Sequence, residues 1–355
     1  MKDSLPLVSV GIPTYNGGRW IPSALDSLLG QDYANLEIII SDNASTDDAY
    51  AVITDYQKRD SRIHTVQNNY NYGQPENFNQ VFRLSRGEFF MWGSDHDLWE
   101  PSFIRKLVDL HLDNPNLALA YPQTVFMDYE NNVTSEPSPL LKTVGSPPEQ
   151  RFFDVFTQLG PGCEMIWGLY RSEILRKTGL FSTRLATDRI LLAEVNLYGE
   201  TDQIPEILHK LRQNREIEFQ GLEAELRRMK PEFGFVDPTE GWSNILPYTY
   251  MIQSHLDVIR YTPVLAPDKK TTVSNALVNY AAQRFPFLDV ELRNLLDNAK
   301  EAVLDKIRIP GLIPFQDALE LRRDLALLMV LFPNQPELTR FEQEVTKIIQ
   351  QTANK

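Results

Sequence analysis

The stretch LVSVGIPTYN at residues 7–16 decides the fold, because it begins as an apolar strand and ends in polar residues. Its β-branched run stops at Pro13, which cannot donate a hydrogen bond to a neighbouring strand. Residues 20–29 then place apolar side chains at helical spacing, and residues 36–40 form a second apolar strand. This alternation predicts a βαβ unit with parallel strands.

The same alternation continues to residue 92. We expect a helix over residues 49–59, a strand over 63–66, a helix over 77–85 and a strand over 88–92. The pattern predicts an α/β fold with a mainly parallel sheet flanked by helices. In such sheets, ligands bind beyond the carboxyl ends of the strands.

The rest of the chain has a different character. Residues 131–150 are rich in Pro, Ser and Gly and predict a mobile loop, whereas residues 152–211 resume a structured pattern. Segments of helical composition, separated in several places by prolines, cover residues 222–229, 246–260, 273–284, 291–307, 315–331 and 338–350. We therefore expect a first domain over residues 1–215 and a helical domain or extension over residues 216–355.

Charge and composition exclude several classes of protein. The 355 residues carry 35 Lys+Arg against 48 Asp+Glu, a formal net charge of −13. This argues against a nucleic-acid binder that neutralises phosphates, although a metal ion or backbone N–H groups could still hold one anionic nucleotide. The single cysteine excludes an intrachain disulfide framework and a Cys-rich zinc site.

The sequence also lacks the apolar core of a signal peptide and any apolar run of about 18 residues. We therefore expect a cytoplasmic protein without a transmembrane segment. That expectation argues against a processive polysaccharide synthase.

Polar clusters follow three of the expected strands, at residues 13–16, 42–43 and 95–97. Parallel strands would bring all three to one edge of the sheet. Each cluster also has a structural explanation when it is taken alone. Asp42 and Asn43 are common turn formers, and Tyr15 could be a core aromatic with a polar hydroxyl.

The third cluster contains two carboxylates, Asp95 and Asp97, separated by His96. Carboxylates this close repel each other unless a positive charge lies near, and hard divalent cations prefer such oxygen ligands. Asp97 could equally cap the helix that follows it. The residues alone leave the metal site and the helix cap open.

Taken together and in order, these motifs resemble a family 2 glycosyltransferase of the GT-A fold. The matching segments are VSVGIPTYN at residues 8–16, ISDNASTD at 40–47, RGEF at 86–89 and SDHDLWEP at 94–101. The resemblance covers about residues 5–215 and implies a GT-A (Rossmann-like) catalytic domain. It implies an inverting enzyme that moves a sugar from a nucleotide diphospho-sugar (UDP, GDP or dTDP type) to a hydroxyl of a glycan or a lipid-linked acceptor.

The resemblance also implies which residues bind the donor. Pro13 and Tyr15 stand where family members form the nucleotide pocket, with the tyrosine ring against the base. Asp42 and Asn43 stand in the loop that recognises the base, where family members often have a second acidic residue in place of Asn43. The other implied donor-binding positions are Asn71, Gly73 and Asn77, which close over the base and ribose, and Arg212, which approaches the diphosphate.

A divalent metal is implied by the same resemblance. Asp95, His96 and Asp97 match the DxD-type motif that holds Mg²⁺ or Mn²⁺ on the donor diphosphate. This chain departs from the usual motif, because the position of the direct metal carboxylate falls on His96 or Asp97, depending on the alignment. Imidazole tolerates Mn²⁺ better than Mg²⁺.

Asp188 matches the family's general base, near the start of a helix in the acceptor region. The chemistry needs such a group, because an acceptor hydroxyl must lose its proton as it attacks the anomeric carbon. Without the resemblance, a helix cap would be the favoured role of Asp188. Asp202 and Glu194 are the alternative carboxylates.

Parts of the sequence are also compatible with two other functions. A catalytically decayed protein that binds sugar nucleotides or acts as a scaffold is favoured by the departures at Asn43 and His96. It is opposed by the retained Asp95, Asp97 and Asp188. A nucleotidyltransferase would need a Gly-rich, basic phosphate loop after the first strand, where this chain has one basic residue, Arg19.

The C-terminal segments carry apolar residues at helical spacing, interrupted by Arg322, Arg323 and Asp324. This pattern is typical of an amphipathic helix. Membrane docking needs a Lys/Arg-rich polar face, which these residues do not provide. We therefore expect packing or homo-oligomerisation through these helices ahead of a peripheral attachment to a membrane.

Overall fold

The computed structural model describes residues 5–159, 163–184, 186–212 and 247–284, with the positions 329, 339, 340, 342, 343, 345–347 and 350. The chain divides into two compact units, Met1–Glu240 and Gly241–Lys355.

The first unit begins with strands and helices that alternate as the sequence predicts. They are β1 (Val8–Thr14), α1 (Ile21–Leu29), β2 (Leu36–Asp42), α2 (Ala49–Arg59), β3 (Ile63–Gln67), α3 (Gln74–Leu84) and β4 (Phe89–Trp92). Helix α3 begins three residues earlier than expected, because Pro75 lies in its first turn, where a missing N–H costs nothing.

The second half of this unit adds shorter strands and further helices. They are β5 (Leu98–Trp99), α4 (Phe103–Asp113), β6 (Leu117–Met127), α5 (Pro148–Gln158), a 3₁₀ helix (Glu164–Trp167), β7 (Leu169–Arg171), α6 (Ser172–Leu175), α7 (Thr187–Tyr198) and β8 (Glu200–Arg212).

These strands form one sheet in the order β3-β2-β1-β4-β7-β6-β8-β5. The pairs β3–β2, β2–β1, β1–β4 and β6–β8 are parallel, whereas β7 and β5 pair antiparallel to their neighbours. The sheet is therefore mixed, with most of its strands running in one direction. The ends of β1, β2 and β4 consequently lie side by side.

Strand β1 lies between β2 and β4 in the sheet, and helices cover both of its faces. Val8, Val10 and Ile12 are fully buried, and α1 contributes a stripe of buried residues from Ile21 to Leu28. Burial of one such aliphatic side chain is worth about 1.5–3 kcal/mol. On the other face, a Cβ on Gly11 would lie 2.6 Å from Val81 of α3, so only glycine lets this helix pack so closely.

Residues 131–150 form no strand or helix between Val133 and Pro148, as the sequence predicts, but they are anchored along β6 and β8. Ser138 N donates to Thr124 O at 2.8 Å, and Thr143 N donates to Thr201 O at 2.9 Å. Leu141 and Thr143 are buried. We expected a mobile loop here, whereas the structure shows a segment held by hydrogen bonds and buried residues. Composition alone does not show which residues of a loop become buried.

The second unit contains two described helices, α8 (Pro247–Tyr261) and α9 (Pro267–Arg284). Helix α9 begins six residues before the predicted position, because Pro267 starts the helix instead of breaking it. Ile252, Ile259, Leu277 and Ala281 are buried. The predicted segments 222–229 and 291–307 lie outside the described residues, as do most positions of 315–331 and 338–350.

None of the helices in the described ranges is long and apolar enough to cross a membrane.

Candidate functional site

The ends of β1, β2 and β4 bring the three polar clusters of the sequence together. Asn43 N donates to Thr14 O at 2.9 Å, which joins the ends of β2 and β1. Thr14 Oγ1 donates to Asp95 Oδ2 at 2.5 Å, which joins β1 to the loop after β4. Parallel pairing produces this convergence, because it aligns the carboxyl ends of neighbouring strands.

The loop between β1 and α1 packs tightly over this edge. A Cβ on Gly17 would lie 2.2 Å from Asp95 Oδ2, so a larger residue here would displace the Asp95 carboxylate from its present position. Asn16 has φ 58°, a left-handed conformation that Asn tolerates better than most residues. Its Oδ1 accepts from Thr46 N at 2.8 Å, and this bond joins the loops after β1 and β2.

Pro13 and Tyr15 occupy different positions on this edge. Pro13 is half-buried within β1, in register with Ser41 of β2. Tyr15 lies just beyond the strand, with 49% of its surface exposed. An exposed aromatic ring beside buried polar groups is available to a flat ligand.

Asp42 ends β2 and is 1% exposed. Ser45 N donates to its Oδ1 at 3.3 Å, and Gln67 Nε2 donates to its Oδ2 at 3.2 Å. A carboxylate has about four acceptor positions, so these two long hydrogen bonds leave capacity for a further donor.

Asn43, Asn71 and Asn77 lie in one network of amide side chains. Asn43 Nδ2 donates to Asn71 Oδ1 at 2.7 Å. Asn77 is 3% exposed; its Oδ1 accepts from Ser41 Oγ at 2.6 Å and its Nδ2 donates to Ser41 O at 3.1 Å. In this arrangement Asn77 holds α3 against the end of β2, and only Asn71 is exposed.

Asp95 and His96 form the accessible part of the acidic cluster. His96 Nδ1 and Asp95 Oδ1 are 2.7 Å apart, and the two side chains are 44% and 14% exposed. Burial lowers the pKa of His96, but its hydrogen bond to Asp95 and the charge of Asp97 outweigh this effect and raise the pKa.

Asp97 is fully buried, and strand β8 occupies both of its oxygens. Its Oδ1 accepts from Arg212 N at 2.9 Å, and its Oδ2 lies 3.1 Å from His209 Nε2. His209 Nδ1 lies 3.2 Å from Thr124 Oγ1 of β6. The structure therefore anchors Asp97 between the loop after β4 and strand β8. Asp97 does not cap the helix that follows, whose N-cap is Ser102.

Arg212 links this cluster to the loop after β6. Its Nε donates to His96 O at 2.9 Å, its Nη1 to Asp128 O at 2.9 Å and its Nη2 to Asn131 Oδ1 at 2.7 Å. The residue is 4% exposed. A guanidinium directed at three protein acceptors holds the loops in place, so a contact with diphosphate would use its remaining N–H groups.

Asp188 lies in the first turn of α7, but it does not cap that helix. The N-cap is Ala186, and Asp188 Oδ1 accepts from Arg189 N at 2.8 Å. Burial and the charge of Asp188 raise the pKa values of the Cys163 thiol and the Tyr170 hydroxyl. Asp188 is thus a half-buried carboxylate beside two groups that stay neutral.

The alternative carboxylates have other partners. Asp202 forms an ion pair with Lys142 at 2.8 Å. Glu194 accepts a hydrogen bond from Gly179 N at 3.0 Å, and burial raises its pKa. Both positions are consistent with structural roles.

The sequence did not reveal an aromatic cluster at the mouth of this edge. The rings of Trp20 and Tyr129 are stacked, with centroids 5.3 Å apart. The guanidinium carbons of Arg19 and Arg212 each lie 4.3 Å from the Trp20 ring centroid. The sequence predicts only that Trp20 lies at the start of a helix, and the fold shows that Tyr129 and Arg212 contact it.

Comparison with known proteins shows the family to which this chain belongs. The model of "Glycosyl transferase family 2" matches residues 9–179. WcaA from Escherichia coli K12, named for colanic acid biosynthesis, is 30% identical over 217 residues, 59% of this chain and 74% of WcaA. The chain belongs to glycosyltransferase family 2.

A second relative of this family 2 chain is WfaP from Escherichia coli, named as a UDP-Glc:α-D-GlcNAc-diphosphoundecaprenol β-1,3-glucosyltransferase. It is 27% identical over 176 residues, 50% of this chain and 63% of WfaP. Two further relatives, from Haemophilus influenzae and Rickettsia typhi, are matched over 33% and 55% of their length. The chain therefore spans about a third to two thirds of these relatives.

Two solved structures share the fold. S. aureus TarS 1-349 in complex with UDP-GlcNAc superimposes with a TM-score of 0.56 at 14% identity, covering 98% of this chain and 92% of that one. The mannosyltransferase PcManGT from Pyrobaculum calidifontis, in complex with GDP-Man and Mn²⁺, gives a TM-score of 0.50 at 17% identity, covering 98% and 86%. The family 2 domain described here has the GT-A fold.

Proposed function

We propose that this chain is an inverting glycosyltransferase that moves a sugar from a nucleotide diphospho-sugar to a hydroxyl acceptor. The observation that carries the proposal is the convergence of Thr14, Asp42 and Asp95 at the joined ends of β1, β2 and β4. Family membership and the names of the relatives support it.

The nucleotide would bind across the loops that follow β1 and β2. Tyr15 offers an exposed ring to the base, and Asp42 offers unused acceptor capacity to a base N–H. Pro13, half-buried near the end of β1, would border the bound nucleotide. The TarS structure contains UDP-GlcNAc and the PcManGT structure contains GDP-Man, so uracil and guanine are both candidate bases for this chain.

The accessible acidic residues fit a divalent cation that takes most of its ligands from a diphosphate. No group of three or more His, Cys, Asp or Glu side chains in the described ranges could hold a metal by itself. Mg²⁺-type sites commonly use one or two carboxylates together with substrate phosphates. Asp95 and His96 would hold Mn²⁺ or Mg²⁺ here, with Asp97 fixing their loop from behind.

The bound cation would neutralise charge on the leaving diphosphate. The reaction also requires a base that removes the proton of the acceptor hydroxyl. Asp188 would take the proton of the acceptor hydroxyl while its oxygen forms a bond to the anomeric carbon. The bond from that carbon to the diphosphate oxygen breaks on the opposite side, so the nucleoside diphosphate leaves and the configuration is inverted.

The acceptor would be a hydroxyl group of a glycan or of a lipid-linked sugar. WfaP is named for a sugar attached to diphosphoundecaprenol, which makes a glycan on a lipid diphosphate one candidate. A protein that works on such an acceptor would meet the membrane surface from the cytoplasmic side. We further propose that residues 1–215 form the catalytic domain, and that residues 216–355 contribute no catalytic group.

The test is a panel of nucleotide sugars incubated with the full chain and Mn²⁺. We expect one of the UDP, GDP or dTDP sugars to raise the unfolding temperature, because a ligand that binds the native state stabilises it by mass action. The same sugar should be hydrolysed or transferred slowly. A chain that binds none of these donors, with or without metal, would contradict the proposal.

A further inference from the structure

Asn43 uses the whole hydrogen-bonding capacity of its side-chain amide within the protein. Its Oδ1 accepts from Asn68 Nδ2 and from Tyr72 N, both at 3.0 Å. Its Nδ2 donates to Asn71 Oδ1 at 2.7 Å and to Gly73 O at 3.4 Å. An amide has two acceptor lone pairs and two donor hydrogens, so none remains for a ligand.

All four partners belong to one segment, residues 68–73, which we name the tyrosine loop. The partners are 25 to 30 positions away in the sequence, so Asn43 is not acting as a local turn former. The loop is further fixed by Asn68 N, which donates to Asp42 O at 2.8 Å. Gly73 ends it with φ 87°, a conformation that favours glycine.

The loop presents two aromatic rings to solvent. Tyr70 and Tyr72 are 61% and 41% exposed, and their ring centroids are 4.1 Å apart. Tyr15 is also exposed, directly after the end of β1. The hydrogen bond from Asn43 N to Thr14 O holds that end of β1 beside Asn43. Adjacent exposed aromatic rings around buried polar groups offer a stacking surface to a planar ligand.

We propose that Asn43 is a positioning residue that holds the tyrosine loop, and that Tyr70 and Tyr72 contact the nucleobase of the donor. The inference rests on the proposed nucleotide-sugar site and revises the base-recognising role expected of Asn43. Base recognition by hydrogen bonding then falls to Asp42, whose carboxylate retains acceptor capacity.

The amide is essential to this role. An aspartate at position 43 would direct a carboxylate oxygen at two acceptors, Asn71 Oδ1 and Gly73 O, in place of a donor. Rotation of the Asn71 amide would not repair the contact, because Asn71 Oδ1 also accepts from Gly73 N at 2.8 Å. Since Asn and Asp have the same shape, Asn43→Asp changes hydrogen bonding without changing packing.

The first experiment compares Asn43→Asp with Asn35→Asp in the full chain. Asn35 precedes β2 and is exposed, so its replacement adds the same charge at the opposite end of the strand. We expect Asn43→Asp to speed hydrogen exchange in residues 68–73 and to weaken UDP, GDP and dTDP binding alike, by about tenfold. Acidification should restore part of the affinity, because a protonated carboxyl group can donate again.

The second experiment tests the rings themselves through Tyr70→Ala and Tyr72→Ala, with Tyr261→Ala as an exposed control in the second unit. We expect each loop variant to lose about tenfold in affinity for the nucleotide that the wild type prefers. Exchange in the rest of the loop should stay slow, since the exposed rings are not what holds it.

Several outcomes would overturn the inference. If Asn43→Asp leaves exchange of the tyrosine loop unchanged and alters which base is preferred, Asn43 recognises the base directly. If both tyrosine variants bind nucleotide as tightly as the wild type, the rings do not contact the base. A wild type that binds no nucleotide would defeat the proposed function, while hydrogen exchange would still decide the role of Asn43.

Discussion

Single carboxylates in this protein are distinguished by what surrounds their oxygens. Asp95 is partly exposed and accepts from Thr14 and His96, Asp97 is closed off by strand β8, and Asp188 lies half-buried beside neutral groups. A carboxylate that coordinates a metal needs exposed oxygens. A carboxylate that anchors a loop needs oxygens that already accept hydrogen bonds from the protein. A general base needs room beside the carboxylate for the acceptor hydroxyl. Each role can therefore be tested by a substitution that keeps shape and removes charge.

Asp188→Asn should lower the rate of transfer by roughly 100-fold or more, because an amide cannot accept the proton of the acceptor hydroxyl. The dissociation constant of the donor should hardly change. Initial rates and calorimetric titration of the donor, measured on the same preparation, separate the two effects. Glu194→Gln is the matched control, and a larger loss of rate in that variant would assign the base to Glu194.

Asp95→Asn and Asp97→Asn should differ in their effect on metal-dependent binding. Asp95→Asn removes an accessible charge next to His96, so we expect Mn²⁺ to lose most of its effect on nucleoside diphosphate affinity. Asp97→Asn keeps an acceptor for Arg212 N, so the metal effect should remain. Titrations of UDP and GDP with Mn²⁺ or EDTA provide the measurement. The opposite order would make Asp97 the metal ligand.

At the scale of elements, the site depends on strands that are far apart in sequence. Strand β8 reaches the loop after β4 through His209 and Arg212, and β6 joins them through Thr124. Helix α4 supports the same sheet from one side, where His111 packs on Phe89 with ring centroids 4.7 Å apart. Such contacts make the stability of the sheet sensitive to groups outside the site.

His111 should make the first unit sensitive to acid. Burial lowers its pKa to about 4, and its Nε2 donates to Leu169 O at 2.8 Å. Because the folded pKa lies below the ordinary value of 6.5, this stability is present above pH 6.5 and is lost as the pH falls toward 4. The loss is on the order of 3 kcal/mol.

Denaturant midpoints at pH 7 and pH 4.5 measure this effect in the full chain. His111→Gln should be less sensitive to acid than the wild type, since glutamine does not titrate. His64→Gln, at an exposed position of β3, serves as the control. Equal acid sensitivity in all three proteins would show that His111 is not responsible.

Local patterns predicted the elements of the first half well, and long-range contacts explain what they missed. The alternation up to residue 92 is strong because β1, β2 and β4 are mostly apolar and are buried on both faces. The candidate site residues could be selected by their positions after strands, but their hydrogen-bond partners could not be predicted. Asp97 contacts His209, which is 112 positions away in the sequence. Asn43 contacts the tyrosine loop, which begins 25 positions away.

At the scale of the whole molecule, net charge constrains which surfaces the protein can approach. The chain carries 48 acidic against 35 basic residues, a formal net charge of −13. An anionic membrane attracts clustered Lys/Arg by about 1 kcal/mol per residue and repels an acidic surface. Attachment by charge alone is therefore unfavourable for the chain as a whole.

We accordingly expect the full chain not to co-sediment with acidic liposomes at physiological salt. Lowering the salt should not increase binding, because weaker screening strengthens the repulsion between like charges. Neutral liposomes of the same size provide the control for apolar attachment. Binding to acidic liposomes that weakens as salt is added would contradict this expectation and would reveal a local basic surface. Equal binding to both kinds of liposome would instead indicate an amphipathic helix, since that contact depends on buried apolar area more than on net charge.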